Sequence, residues 1–306
     1  MKKYVVIILG PTAIGKTSLS ISIANHYKTE IISADSRQIF KELSIGTAIP
    51  DSQQLNTVKH HMVQNHSIHE YYNASNFEIE ALECCNSIFA KKEIIVMTGG
   101  SMLYIDTFCN GIDDLPTIDP EIRQNVINTF EQEGIESIRH ELKKIDPEYY
   151  QLVDLKNYKR ILHALEVYYM TGKKYSSFRR NTKKERDFDI IKIGLNMDRK
   201  SLHARINNRV DKMMNDGLLQ EARNLIDFKH LNSLNTVGYK ELFDFFDEKI
   251  SLNEAIDLIK RNTRRYARKQ LTWFNRDTDI CWFSPDQIEE IIQYIDSRVF
   301  SNVINS

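Results

Sequence analysis

The stretch GPTAIGKT (10–17) decides the fold, read together with the six residues before it, YVVIIL (4–9). A continuous apolar run rich in Val and Ile reads as a strand buried on both faces, as in a parallel sheet. The residues after the loop, Ser18–Tyr27, carry helical spacing. Strand, glycine loop, helix is the context in which G-x4-G-K-T grips phosphate. The glycines let backbone N–H groups come close to phosphate oxygens. The helix N-terminus adds partial positive charge, Lys16 supplies a mobile full charge, and the Thr17 hydroxyl is placed for Mg2+. Gly10, Pro11, Thr12, Ala13, Ile14, Gly15, Lys16 and Thr17 are therefore the candidate phosphate-binding residues. The loop alone leaves the substrate open, because it serves many chemistries.

Working outward, Glu30–Ala34 (EIISA), Glu93–Thr98 (EIIVMT) and Ile190–Asn196 (IIKIGLN) read as further strands between helical segments. That alternation predicts an α/β fold: a P-loop NTPase-like parallel sheet flanked by helices. Residues 115–186 differ. They lack a strand pattern, place Pro116, Pro120 and Pro147 at helix entrances, and leave through a basic stretch, RRNTKKER (179–186). They are expected to form an α-helical insertion domain. Residues 1–114 and 187–306 are expected to form the core, with the chain after Asp198 helical almost to its end.

The totals exclude little. The 306 residues suffice for one large domain or two modest ones, and 42% apolar with 27% charged residues is ordinary for a globular protein. A net charge of −1 means that any nucleic-acid surface must come from local clustering of Lys and Arg. Cys84, Cys85, Cys109 and Cys281 form no C-x-x-C pair and read as small core residues in a reducing compartment. No leader pattern precedes the first strand, and no apolar run approaches the roughly 18 residues of a membrane span. The expectation is a cytoplasmic, monomeric protein without a membrane partner.

Asp35 follows the second strand directly, in ADSRQIF (34–40). Ligands of open parallel sheets bind beyond the carboxyl ends of the strands, so a carboxylate there points toward the phosphate loop. Metal ligand, ribose binder, general base and simple helix cap all remain open for it. In the helix expected over 202–216, Arg205 and Arg209 lie four apart and share a face, with Leu202, Ile206, Val210 and Met213 as its apolar stripe. In IDLIKRNTRRYARKQLTWF (256–274), Arg261, Arg264, Arg265, Arg268 and Lys269 fall on one side at 100° per residue. Ile256, Ile259, Tyr266, Trp273 and Phe274 fall on the other. One sign of charge with no interleaved acid suits a row of phosphates. The histidines His60, His61, His66 and His69 invite a metal reading, but they lack cysteine partners, and the H-x-x-H spacing from His66 to His69 is common by chance.

The chain resembles the tRNA dimethylallyltransferases (tRNA isopentenyltransferases). The matching stretches are GPTAIGKTSLS (10–20), ADSRQIF (34–40), IGTAIP (45–50), VKHHM (58–62), TGGSMLYI (98–105), RILHALEVYYMTGK (160–173), LHARINNRVDKMMNDGL (202–218), TVGYKEL (236–242) and RRYARKQLTWF (264–274). They occur in family order over most of the chain. The resemblance implies that a loop resembling an ATP site holds the diphosphate of dimethylallyl diphosphate. It implies a five-carbon prenyl transfer to N6 of the adenosine just 3′ of the anticodon, in tRNAs that read codons beginning with U. Asp35 then becomes the base that takes the amine proton, while Lys16, Thr17 with Mg2+, and Arg209 meet the charge of the departing diphosphate.

The resemblance also implies tRNA contacts, with the anticodon stem-loop, from Asp35, Ser36, Arg37, Gln38, Ser101, Arg123, Arg160, Gly238, Tyr239 and Lys240. The basic row Arg261, Arg264, Arg265, Arg268 and Lys269 joins them. Arg37, Phe40, Ser101 and Met102 depart from the commoner family residues. Three other functions compete: prenyl transfer to free adenine nucleotides, a P-loop kinase of a small metabolite, and a non-catalytic RNA-binding protein. The long basic C-terminal region argues against the first two, and an intact phosphate loop beside Asp35 argues against the third.

Overall fold

In the computed structural model, residues 2–113, 115, 116, 118–179 and 183–300 are described. They divide into two compact units, one within Met1–Cys109 and Glu185–Ser306, the other within Asn110–Lys184. The first is built on a six-stranded parallel sheet. β1 (Tyr4–Leu9) is buried at every position and leads through the glycine loop into α1 (Lys16–His26). β2 (Ile31–Ala34), α2 (Ser52–Thr57), β3 (His60–His61), α3 (Ala74–Phe89), β4 (Ile94–Gly99) and α4 (Met102–Asn110) follow. The strand order is β3-β2-β4-β1, continued after the second unit by two more strands.

The second unit holds four helices: α5 (Pro120–Ile145), α6 (Pro147–Leu152), α7 (Tyr158–Thr171) and α8 (Tyr175–Phe178). Pro120 and Pro147 sit at first helical positions, where the missing N–H costs nothing. Pro116 lies in a loop rather than at a helix entrance. α5 is broken at Gly134, whose backbone is not helical. Val126, Ile138, Leu142, Tyr149, Ile161 and Leu165 form this unit's own core. Arg180, Asn181 and Thr182 of the basic exit lie outside the described residues.

The chain then returns to the sheet as β5 (Asp189–Leu195) and continues through α9 (Arg199–Asn215), α10 (Leu218–Asn224), α11 (Tyr239–Phe246) and α12 (Leu252–Phe274). β6 (Ile280–Phe283) and α13 (Ile288–Phe300) complete it. β6 pairs parallel with β5, Lys192 opposite Ile280 through Leu195 opposite Phe283, and corrects the expectation of an all-helical end. β3 was likewise not expected. Both are edge strands, too short to show a period. One core cluster joins Val6, Ile8, Val96 and Ile193 of the sheet to Leu19 and Ile23 of α1, Ile206 of α9, Ala267 of α12 and Ile295 of α13.

Candidate active site

The phosphate loop lies where β1 ends, and it opens a cleft of ≈ 880 Å³. Gly15, at φ 108, turns the chain into α1, and no side chain caps that helix. The first-turn N–H groups are thus left for an anion. Lys16 Nζ donates to the loop's own carbonyls, Gly10 O at 3.0 Å and Pro11 O at 2.9 Å. From α9, Arg205 Nη1 donates to Ile14 O at 3.0 Å, and Arg209 Nη1 points at Thr12 Oγ1 at 3.4 Å.

Their hydrogen bonds go to carbonyls and a hydroxyl, and among the described residues none of the three forms a salt bridge; Asp35 acts on Lys16 and Arg209 only through space. Desolvation lowers the Lys16 pKa to about 8, against the pull of Asp35, with Arg209 lowering it further. Burial also lowers that of Arg209, opposed by Asp35. Two cations crowded into a desolvated cleft form a site complementary to an anion.

Asp35 lines the same cleft. Its Oδ1 accepts from Arg37 N at 2.9 Å and Gln38 N at 3.3 Å, closing the turn that follows β2. No helix follows Asp35, so the helix-cap reading gives way to a turn closed by one carboxylate oxygen. Oδ2 takes no part in that turn. Ser101 Oγ accepts from Ser36 N at 2.8 Å and donates to Ser36 Oγ at 3.1 Å, tying the turn to the end of β4.

The remaining sequence-based site residues fall into groups. Gln38 turns inward: its Nε2 donates to Thr47 O at 3.1 Å and Ala48 O at 2.9 Å, and its Oε1 accepts from Ser33 Oγ at 3.3 Å. Arg37 donates to Asn232 O and Ser233 O, both at 3.2 Å. Tyr239 is fully buried, and its hydroxyl donates to Glu221 Oε1 at 2.6 Å. Gly238 caps α11, where its N–H donates to Glu241 at 2.8 Å, and Lys240 beside it is exposed.

Arg261, Arg265, Arg268 and Lys269 are exposed on α12. Arg264 is partly covered, and its Nη1 donates to Asn207 Oδ1 at 2.6 Å. In the second unit Arg160 is exposed, whereas Arg123 pairs with the buried Glu166 at 3.4 Å, so part of its charge is already matched.

Sequence reasoning missed Gln270, which is 1% exposed. Its Oε1 accepts from Thr12 N at 2.9 Å, and its Nε2 donates to Gly100 O at 2.8 Å. It thereby fastens the phosphate loop to the end of β4. The available signal was a lone polar residue on the packed stripe of α12, between Ala267 and Phe274. Two buried side-chain atoms also lack a partner among the described residues, His60 Nε2 and Thr98 Oγ1, and both residues line the cleft. The His60 Nδ1–H donates to Val58 O at 2.8 Å, and burial lowers the ring pKa, so Nε2 presents a bare lone pair. The other histidines are engaged elsewhere, His61 with Glu30 and His66 between Glu70 and Glu80.

Fold and cleft define a phosphate-loop α/β protein with a carboxylate at the carboxyl edge of the sheet. The family model for IPP transferase matches residues 38–277, and the chain belongs to that family of transferases. It is 54% identical over 297 residues to tRNA dimethylallyltransferase 1 of Phocaeicola vulgatus, covering 97% of this chain and 99% of that protein. It is 54% identical over 294 residues to tRNA dimethylallyltransferase 2 of Parabacteroides distasonis, covering 96% and 98%.

Among solved structures, the tRNA isopentenylpyrophosphate transferase of Bacillus halodurans superposes with a TM-score of 0.72 at 32% identity, covering 100% of both chains. A eukaryotic dimethylallyltransferase acting on tRNA gives 0.78 at 27% identity, covering 99% of this chain and 78% of the other.

Proposed function

We propose that this protein transfers a dimethylallyl group from dimethylallyl diphosphate to N6 of the adenosine 3′-adjacent to the anticodon in tRNA, releasing diphosphate. The observation that carries the reading is the gathering, in one cleft, of Lys16 and Arg209, neither in a salt bridge among the described residues, with Asp35, one of whose oxygens lies outside its turn.

The amine lone pair of adenine is delocalised into the ring and makes a weak nucleophile. As N6 bonds to C1 of the prenyl group, the C1–O bond to diphosphate breaks and the N6 proton passes to Asp35. The loop amides, Lys16, Arg205 and Arg209 meet the charge that appears on the diphosphate. An adenosine in an anticodon loop is cheaper to extrude into such a cleft than one in a duplex.

Mg2+ fits the donors present. It binds through few protein oxygens plus phosphate, and Thr17, whose side chain lines the cleft, offers a hydroxyl for it. When bound, it would supply further positive charge to the diphosphate. The exposed cations Arg261, Arg265, Arg268 and Lys269, with Lys240, would hold the tRNA backbone. A monomer in the cytoplasm, where tRNA is found, fits this activity.

The test is incubation with labelled dimethylallyl diphosphate, Mg2+ and unmodified tRNA, AMP or ATP in separate reactions. Label is expected in tRNA alone. Label in AMP or ATP instead would move the protein to a free-nucleotide prenyltransferase, and label in none would reject prenyl transfer.

A further inference from the structure

The loop 44–50 forms one wall of the cleft, with Ser44, Ile45, Ala48, Ile49 and Pro50 lining it. It is irregular backbone, with Ala48 at φ 48, and such a loop is usually among the less stable parts of a fold. Here it is gripped from two sides. The N–H groups of Ser44, Ile45 and Gly46 all donate to the Glu221 carboxylate of α10, at 3.1, 2.8 and 2.9 Å. The Tyr239 hydroxyl of α11 donates to the same carboxylate at 2.6 Å. On the other side, Gln38 Nε2 holds the Thr47 and Ala48 carbonyls.

Gly46 lies flat on the Tyr239 ring, where an added Cβ would meet ring Cζ and the hydroxyl at 2.6 Å. Burial and the neighbouring Glu221 charge raise the Tyr239 pKa, so the hydroxyl stays a donor.

We propose that Glu221 is a positioning residue that sets the apolar wall of the donor site, and with it the length of hydrocarbon chain the cleft accepts. This rests on the prenyl-diphosphate reading above. The diphosphate end of a donor is fixed by the loop at 10–17. Within the same cleft, apolar groups near the hydrocarbon end include Ile45, Ala48, Ile49 and Pro50 of this loop, with Leu55 and Met213 beyond it.

A five-carbon chain offers few contacts, and rejecting a longer one needs a wall that does not give. Charge-assisted bonds to one carboxylate, roughly twice as strong as neutral ones, supply that stiffness. Glu221→Gln keeps the shape but replaces an accepting oxygen by an NH2 group that faces the loop's own N–H donors.

The experiment compares dimethylallyl and geranyl diphosphate as donors to tRNA, for the unsubstituted protein, Glu221→Gln and Tyr239→Phe, each checked by thermal melting. For Glu221→Gln, KM for dimethylallyl diphosphate is expected to rise about 10-fold with kcat within about twofold, because a displaced wall weakens binding and not chemistry. KM for tRNA should not move, and the preference for the shorter donor should narrow about 10-fold. Tyr239→Phe keeps the ring under Gly46 and should show the same pattern at about two- to threefold. Hydrogen exchange at the Ser44, Ile45 and Gly46 amides should quicken in the order unsubstituted, Tyr239→Phe, Glu221→Gln.

Donor KM and chain-length preference unchanged in both variants would overturn the inference. So would an equal loss in kcat and in both KM values accompanied by a lower melting temperature. An unsubstituted protein that transfers neither chain rejects the donor reading and this inference with it. An active protein indifferent to Glu221 rejects the inference alone.

Discussion

The two faces of α12 use polar side chains in opposite ways. On the inner face Gln270 is sealed from water and has both ends of its amide bonded, to the phosphate loop and to the end of β4. On the outer face Arg261, Arg265, Arg268 and Lys269 are exposed, and no acid lies between Leu258 and Phe274 to answer them. The inner polar group fixes geometry, and its energy is spent within the protein. Among the described residues the outer cations form no ion pair, so their charge faces solvent. The cleft lies between these extremes, because its cations are oriented by loop carbonyls yet form no salt bridge among the described residues.

That contrast breaks most sharply at Asp35, where orientation and chemistry meet in one side chain. In Asp35→Asn the turn should persist, since the amide oxygen can still accept from Arg37 and Gln38. The position outside the turn, however, would no longer take a proton. Single-turnover transfer should fall by about 10³-fold, the usual scale of a general base, with tRNA binding within about threefold. Equal losses in turnover and binding would show that Asp35 only shapes the turn.

The inner face is tested by Gln270→Leu, which keeps the volume and removes both bonds. Thr12 N–H and Gly100 C=O are left facing an apolar side chain, at roughly 1–3 kcal/mol for each buried unpaired group. The melting temperature should drop by about 5 °C for a loss of about 2 kcal/mol, and added diphosphate should recover part of it, because ligand binding stabilises the folded loop. A melting point unmoved by the substitution would show that water replaces the amide at no cost.

How much of this was legible in the sequence follows from where each interaction lives along the chain. The sheet announced itself through β1 and β4, whose unbroken apolar runs match strands buried at every position. The glycine loop and Asp35 were legible because each sits immediately after a strand, so local order already implies position. β3 and β6 were not, since two and four residues carry no usable period.

Gln270 and Glu221 were illegible for a different reason: their partners lie 170 and 258 residues away for the first, and 175 to 177 for the loop held by the second. Tyr239, which the resemblance of TVGYKEL (236–242) puts among the tRNA contacts, is fully buried, and its ring fills the space under Gly46. Arg123 enters the sequence reading as a tRNA contact that the resemblance implies, and only the packing of α5 on α7 brings Glu166 to it.

The outer face gives the smallest effect and the most selective one. Arg265→Ala with Arg268→Ala removes a long 3.5 Å bond from Arg265 to Asn262 on an exposed face, so the melting temperature should stay within about 1 °C, as for surface substitutions generally. Each arginine that meets a phosphate releases counterions, which steepens the fall of log Kd-based affinity with log salt by roughly 0.7 to 0.9. Removing both should therefore flatten the salt slope of tRNA binding by about 1.5, weaken binding at low salt most, and leave turnover at saturating tRNA unchanged. If the slope stays the same while affinity falls, the two arginines act through shape rather than charge. If neither changes, the row on α12 is a solvated face, and tRNA is held by other cations such as Lys240 and Arg160.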